Sequence, residues 1–259
     1  MSPSPSTSKI KSFLSGLCFS ALLITSSFFL TGFSKAPQAD ELLIDDFSSQ
    51  SEGSPKGWKA LELPRKPRRT EYTVQKEGDN HFLKAVSSDG ASAIYKEFSE
   101  DLKDYPVLSW RWKVEGILKK GDETKRSGDD YAARVYVAFE YEPQKTSSFE
   151  KFKLKVIEAV YGIKPPGFTI NYIWANKLEK EGAVENPFTN RVMMVAVESG
   201  AELAGQWIQE ERNIYEDYKK YFKDEPPKVT GIVIMTDTDN TKESAVAYYD
   251  DIRLKKKLK

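Results

Sequence analysis

"VLSWRWKV" (Val107–Val114) alternates without a break. Leu108, Trp110, Trp112 and Val114 fall on one side, and Ser109, Arg111 and Lys113 on the other. That period of two belongs to a β-strand with one face in a core. "YAARVYVAF" (Tyr131–Phe139) repeats the pattern, with Val135, Val137 and Phe139 opposing Arg134, Tyr136 and Ala138. Similar runs, rich in β-branched and aromatic residues and punctuated by Gly, Pro, Asp, Asn and Ser, predict strands along the rest of the chain. They are Leu42–Phe47, Tyr72–Lys76, Phe82–Ser87, Ser92–Phe98, Val107–Val114, Tyr131–Glu140, Thr169–Ala175, Arg191–Glu198, Val229–Thr236 and Ala245–Leu254.

Two segments have helical spacing instead. "SSFEKFKLKVIEAVYG" places Phe149, Phe152, Val156 and Val160 on one face. Ser147 is its cap, Glu150 stands three residues on, and Gly162 closes it. "NIYEDYKKYF" places Ile214, Tyr218 and Tyr221 together, with Asn213 as cap, Glu216 three on, and Pro226 and Pro227 beyond. Most strands have no helix between them, so a parallel βαβ sheet is excluded. The reading is all-β: a two-sheet antiparallel sandwich of jelly-roll type, like a carbohydrate-binding module, with two short helical excursions.

Composition narrows the function classes. The 259 residues carry 39 Lys plus Arg and 39 Asp plus Glu, so no overall field favours nucleic acid. Lys9 and Lys11 precede the apolar "FLSGLCFSALLITSSFFLTGF" (Phe13–Phe33) and the polar "SKAPQAD". This reads as an export signal, or as a retained anchor, over residues 1–39. A single sandwich domain over 40–259 then lies in the periplasm or outside the cell. Cys18 is the single cysteine and His81 the single histidine. Thiolate and two-histidine metal sites are therefore excluded, and His81 sits where a turn enters a strand.

Carboxylates, arginines and aromatics are left to carry a site. "LLIDDF" near the start and "AYYDDIRL" near the end each present two aspartates. If first and last strands pair, Asp45 or Asp46 with Asp250 or Asp251 could hold a structural calcium ion; solvated strand ends are the alternative. "DTDNT" (Asp237–Thr241) superficially resembles a calcium loop. Lys242 stands in place of the turn glycine and Tyr248 in place of the last acidic ligand, so a tight turn is preferred. For a saccharide or other polar ligand the candidates are Arg111, Asp129, Asp130, Arg134, Tyr136, Trp174, Trp207, Glu210 and Arg212. Guanidinium forks bind paired oxygens, and indole faces stack on sugars. The same arginines could instead form internal ion pairs. In the period-two reading of the last strand, Val246, Tyr248, Asp250, Ile252 and Leu254 share a face unless a bulge intervenes.

The segments "WRWKV", "GDDYAARVYVAF", "YIWAN", "GQWIQEERNIYEDYKKYF" and "GIVIMTDTDNTKESAVAYYDDI" together resemble a bacterial family, the domain of unknown function numbered 3047. The resemblance runs from about Leu43 to Leu254. It implies an exported bacterial protein and no established activity, so no functional residue is carried over. The expectation is a non-catalytic saccharide or polar-ligand binder with a calcium ion as its one cofactor. The membrane enters only through the N-terminal segment. One alternative is a polysaccharide-acting enzyme: a two-carboxylate glycosidase, or a lyase using Tyr131 or Tyr136 as base with Arg111 or Arg134. The other is a structural component of the cell envelope.

Overall fold

The computed structural model describes residues 39–62, 68–161 and 167–256. The export or anchor segment and Gly162 lie outside the described residues. The strands are β1 (Glu41–Asp45), β2 (Lys59–Glu62), β3 (Glu71–Glu77), β4 (Asn80–Ser88), β5 (Ala91–Glu100), β6 (Val107–Val114), β7 (Arg134–Phe139), β8 (Thr169–Ala175), β9 (Ala183–Asn186), β10 (Thr189–Ser199), β11 (Ile208–Asn213), β12 (Val229–Asp237) and β13 (Ser244–Lys255). Helix α1 spans Ser148–Tyr161 and α2 spans Ile214–Phe222. A six-stranded sheet has the order β11-β6-β13-β4-β3 with β1 also on β13, and a seven-stranded sheet has the order β2-β5-β12-β7-β8-β10-β9. The chain crosses between sheets at β1–β2, β2–β3, β4–β5, β5–β6, β6–β7, β10–β11, β11–β12 and β12–β13, which is a jelly-roll wrap. Pairing is antiparallel except between β8 and β10, a parallel pair that the antiparallel expectation did not contain.

All ten expected strands are present. The segment expected as Tyr131–Glu140 begins its strand only at Arg134. The three strands not foreseen, β2, β9 and β11, are all sheet edges. Edge strands need no apolar alternation and carry charge, as "IQEERN" does. Both helices start as expected. Ser147 Oγ accepts from Glu150 N–H and Glu150 Oε2 from Ser147 N–H, while Asn213 Oδ1 accepts from Glu216 N–H.

The core lies between the sheets. Trp110 stacks on Tyr172 with centroids 5.4 Å apart, and Trp112 meets Trp174 at 5.8 Å. Val135, Val137 and Phe139 of β7 close on them, and Tyr218 of α2 packs on Phe139 at 4.5 Å. Strand β13 departs from the simple alternation. Ala245, Ala247 and Tyr249 enter the core, and so do Ile252 and Leu254. The register against β6 shifts between Asp250 and Arg253, and Asp251 has φ 51°. This bulge exchanges the faces, so Tyr248 and Asp250 point outward and only Ile252 and Leu254 keep the expected side.

The two central tryptophans differ in their polar ends. Trp112 Nε1 donates to Glu210 Oε1 at 3.1 Å, whereas buried Trp110 Nε1 has no partner among the described residues. Trp112→Phe is therefore expected to destabilise the fold more than Trp110→Phe, by about 1–2 kcal/mol, since only the former strands a buried carboxyl. Urea denaturation of both variants measures the difference; equal midpoints would contradict it.

Candidate functional site

The polar residues of the sequence sort into three places. The first is the end of the seven-stranded sheet, where "GDDYAARVY" meets "TDTDNT". Arg134, 3% exposed, spans Asp237: Nε donates to Oδ1 at 2.8 Å and Nη2 to Oδ2. Nη2 also donates to Asp129 O at 3.2 Å, and Nη1 lies 3.6 Å from Asp129 Oδ1. The guanidinium sits 4.5 Å from the Tyr131 ring centroid and 5.9 Å from that of Tyr136. Burial pushes the Asp129 carboxyl up, against the pull of Arg134. Asp130 accepts from Asn240 Nδ2 at 3.0 Å and Thr241 N–H at 2.6 Å. Oxygens of Asp130, Asp237 and Asp239 all lie within 4.8 Å of one another. "DTDNT" is the turn expected of it, and it also delivers two of these carboxylates.

The second place is a set of internal partnerships, some buried and some at the surface. Trp174 is fully buried and donates to Gly200 O at 2.9 Å. Arg212 bridges Glu181 at 2.8 Å and Asp217 at 3.1 Å, and Asp217 also accepts from Tyr172 Oη. Burial, and then the charge of Glu198, pushes Glu210 up to about 7. Strands β1 and β13 pair as expected, with Leu42 opposite Leu254. The calcium cage expected at their junction is not assembled among the described residues. Asp45 accepts from Lys96 at 2.8 Å, Trp58 at 3.0 Å, Phe47 N–H at 2.9 Å and Gln50. Asp46 turns back onto Ser48. Asp250 accepts from Arg111 at 2.5 Å and from Asn80 at 3.1 Å. Asp251 accepts from Arg253 at 2.6 Å and lies 2.9 Å from Arg111 Nε, off the hydrogen-bond direction. Each aspartate is satisfied by the protein's own donors.

The third place is the outer face of the six-stranded sheet. Cross-strand register lines up Lys84, Tyr248 and Lys113, and Trp207 precedes Ile208, the residue opposite Trp112. Lys113 Nζ lies 4.3 Å from the Tyr248 centroid and 5.4 Å from that of Trp207, and Lys84 Nζ lies 5.9 Å from Tyr248. Phe82 meets both rings edge-on, at 5.7 Å from Trp207 and 5.6 Å from Tyr248. Arg111 covers Trp207 at 4.9 Å. Tyr248 donates to Glu115 at 2.6 Å. An open polar depression of about 220 Å³, lined by Glu41, Ser109, Gln209, Asp251, Arg253 and Lys255, is joined to this row by Arg111, which touches both Asp251 and Trp207. The sequence reading named Trp207 and Arg111 but missed Phe82, Lys84, Lys113 and Tyr248. The bulge had hidden Tyr248, and lysines beside aromatics across strands leave no mark along one strand.

Arg111 and Arg134 thus stand on different sheets, so they cannot serve one groove. A lyase base must give up its proton near neutral pH. Burial instead pushes the hydroxyls of both Tyr131 and Tyr136 up, and they contact the sulfurs of Met194 and Met235. Glu198 and Glu210, 4% and 7% exposed, are sealed from a polymeric substrate.

The chain matches the family described as a protein of unknown function, DUF3047, over residues 56–253, and it belongs to that family. The curated proteins contain no match to it. Among solved structures it is similar to the family 30 carbohydrate-binding module of the cellulosomal cellulase Cel9D-Cel44B of Clostridium thermocellum. Identity is 11% and the TM-score 0.39, over 85% of this chain and 99% of that one. It is also similar to the xyloglucanase domain of NopAA, a type three effector from Sinorhizobium fredii, in complex with cellobiose, at 10% identity and a TM-score of 0.38, over 80% and 96%. Neither likeness is close enough to transfer a ligand or an activity.

Glu210 gives the fold a pH dependence. Its folded-state value of about 7 lies above the ordinary 4.5. Its contribution to stability is therefore full below pH 4.5 and is lost as pH rises through about 7. Glu210→Gln keeps an acceptor for Trp112 and is expected to gain about 2–3 kcal/mol relative to wild type between about pH 5 and pH 8. Parallel stability–pH curves for the two proteins, measured by urea denaturation, would contradict this.

Proposed function

We propose that the domain is an exported, non-catalytic binding module. It holds an acidic saccharide, or another polar ligand bearing a carboxylate or sulfate, on the outer face of its six-stranded sheet. The observation that carries this reading is the Lys84–Tyr248–Lys113–Trp207 row. Lys84 and Lys113 have no carboxylate partner among the described residues, yet both are held beside aromatic rings. Trp207 is half-buried at the sheet edge and fixed edge-on by Phe82. Tyr248 is buried and holds the two lysines in place, so Trp207 is the ring that stacks on the C–H face of a sugar while the ammonium groups meet its acidic substituents. The adjoining depression adds Gln209 and Ser109, joined at 2.8 Å, as a polar floor. Export rests on the charged and apolar N-terminal pattern of the sequence.

A second reading, a structural envelope component, is favoured by one observation. Trp58, Trp110, Trp112 and Trp174 are buried, and Arg134 and Arg212 are committed to internal ion pairs. That leaves the outer row as the place where the two readings part.

Retention of the protein on immobilised acidic and neutral polysaccharides tests the proposal. Wild type is expected to bind an acidic polymer and to lose binding as ionic strength rises. Trp207→Ala and Lys113→Ala are each expected to weaken binding about tenfold, which corresponds to about 1.4 kcal/mol, and Lys113→Ala to do so without changing the melting temperature. Absence of retention by every polymer would leave the structural reading.

A further inference from the structure

We infer that Asp130, Asp237 and Asp239 form a divalent-cation site, fitted to calcium, that fastens the loop before β7 to the turn between β12 and β13. Their oxygens converge within 4.8 Å, and all three residues are buried. Asp129 adds a fourth carboxylate through Arg134. One guanidinium, that of Arg134, serves Asp237 and Asp129, whereas the donors on Asp130 are the neutral Asn240 amide and the Thr241 N–H. The Lys242 ammonium is exposed and paired with Asp89 at 2.8 Å, and it also feels the charges of Asp239 and Asp130 from outside the cluster. Carboxylates brought this close repel unless a cation or proton lies between them.

A second observation is independent of the acidic cluster. The Thr241 hydroxyl is sealed from solvent and has no hydrogen-bond partner among the described residues, on a residue 4% exposed. The backbone N–H of the same residue binds Asp130 Oδ2 at 2.6 Å, so covalent geometry holds this unpaired oxygen beside the cluster. A buried hydroxyl ordinarily has a partner, and a hard cation is one that both the hydroxyl and the carboxylates would accept. Asp237, Asp239 and Thr241 fall at alternate positions of one turn, the spacing by which loops deliver oxygens to calcium. Lys242 takes φ 62°, the left-handed conformation in which such loops use glycine, so the residue that spoils the motif in sequence does not spoil the turn. Asp237 Oδ1 accepts from both Arg134 Nε and the Tyr131 N–H, whereas Oδ2 accepts from Arg134 Nη2 and keeps a lone pair for a cation.

The test uses the whole protein after dialysis against a chelator. Calcium is expected to raise the melting temperature by about 5 °C, because an ion bound by the native state alone stabilises it. Terbium is expected to luminesce on excitation of the protein's aromatics and to be displaced by calcium. Asp239→Asn and Thr241→Val are each expected to weaken terbium binding, the former by at least about tenfold. Asp251→Asn, at the junction of the first and last strands, should leave it unchanged. Thr241→Val removes no charge and keeps the assay usable if Asp239→Asn fails to fold. No thermal response to calcium and no terbium signal would overturn the site. So would a response that survives both site variants, and a larger response to magnesium than to calcium would overturn the choice of ion.

Discussion

Strand β13 pairs with β1, β4 and β6, and it must fill the core along its whole length. It does so through one irregularity, the bulge at Asp250 and Asp251. Without the bulge, strict alternation would bury Tyr249 and expel Ile252 and Leu254, or the reverse. With it, both groups enter the core and the residues between are turned out beside Arg111. The same step that completes the core sets Tyr248 on the outer face and gives Arg111 two carboxylates. The outer aromatic row is a by-product of core packing.

Much of the fold was legible because each signal is local. A period of two marks a strand with one buried face, and Ser147 with Glu150 or Asn213 with Glu216 marks a helix start. Edge strands β2, β9 and β11 were not legible, because they have no buried face to pattern. The bulge was not legible either: "YYDDIR" offers no glycine, and it is an aspartate that takes the positive φ.

The site was less legible than the fold, for a topological reason. Arg111 and Arg134 both oppose an apolar face, and in sequence they look equivalent. Their strands belong to different sheets, so the two outer faces never meet. Their side chains are 28% and 3% exposed, and both are held by aspartates, so Arg111 is a partly exposed scaffold of the outer face and Arg134 a sealed one. For the buried pair, Asp237 and Arg134 come from strands that lie side by side only once β12 has returned beside β7. A buried ion pair of this kind adds little net stability, but removing one partner is severe, since the other charge is left uncompensated.

The acidic cluster and the aromatic row are linked through the turn after β12. That turn carries the chain from the seven-stranded sheet to the six-stranded one, and Tyr248 lies a few residues beyond it. Thr238 in the same turn donates its N–H to Gly90 O, and its hydroxyl contacts Ser87 Oγ at 2.9 Å, so the crossing from β4 to β5 is tied to it. Two sheet crossings therefore share one polar knot at the end of the sandwich. Hydrophobic burial holds the sheets face to face but is indifferent to small sliding, because its energy follows area rather than direction. Directional bonds at the crossings fix that remaining freedom. The register that aligns Lys84, Tyr248 and Lys113 is set at one end by the bulge and at the other by this knot.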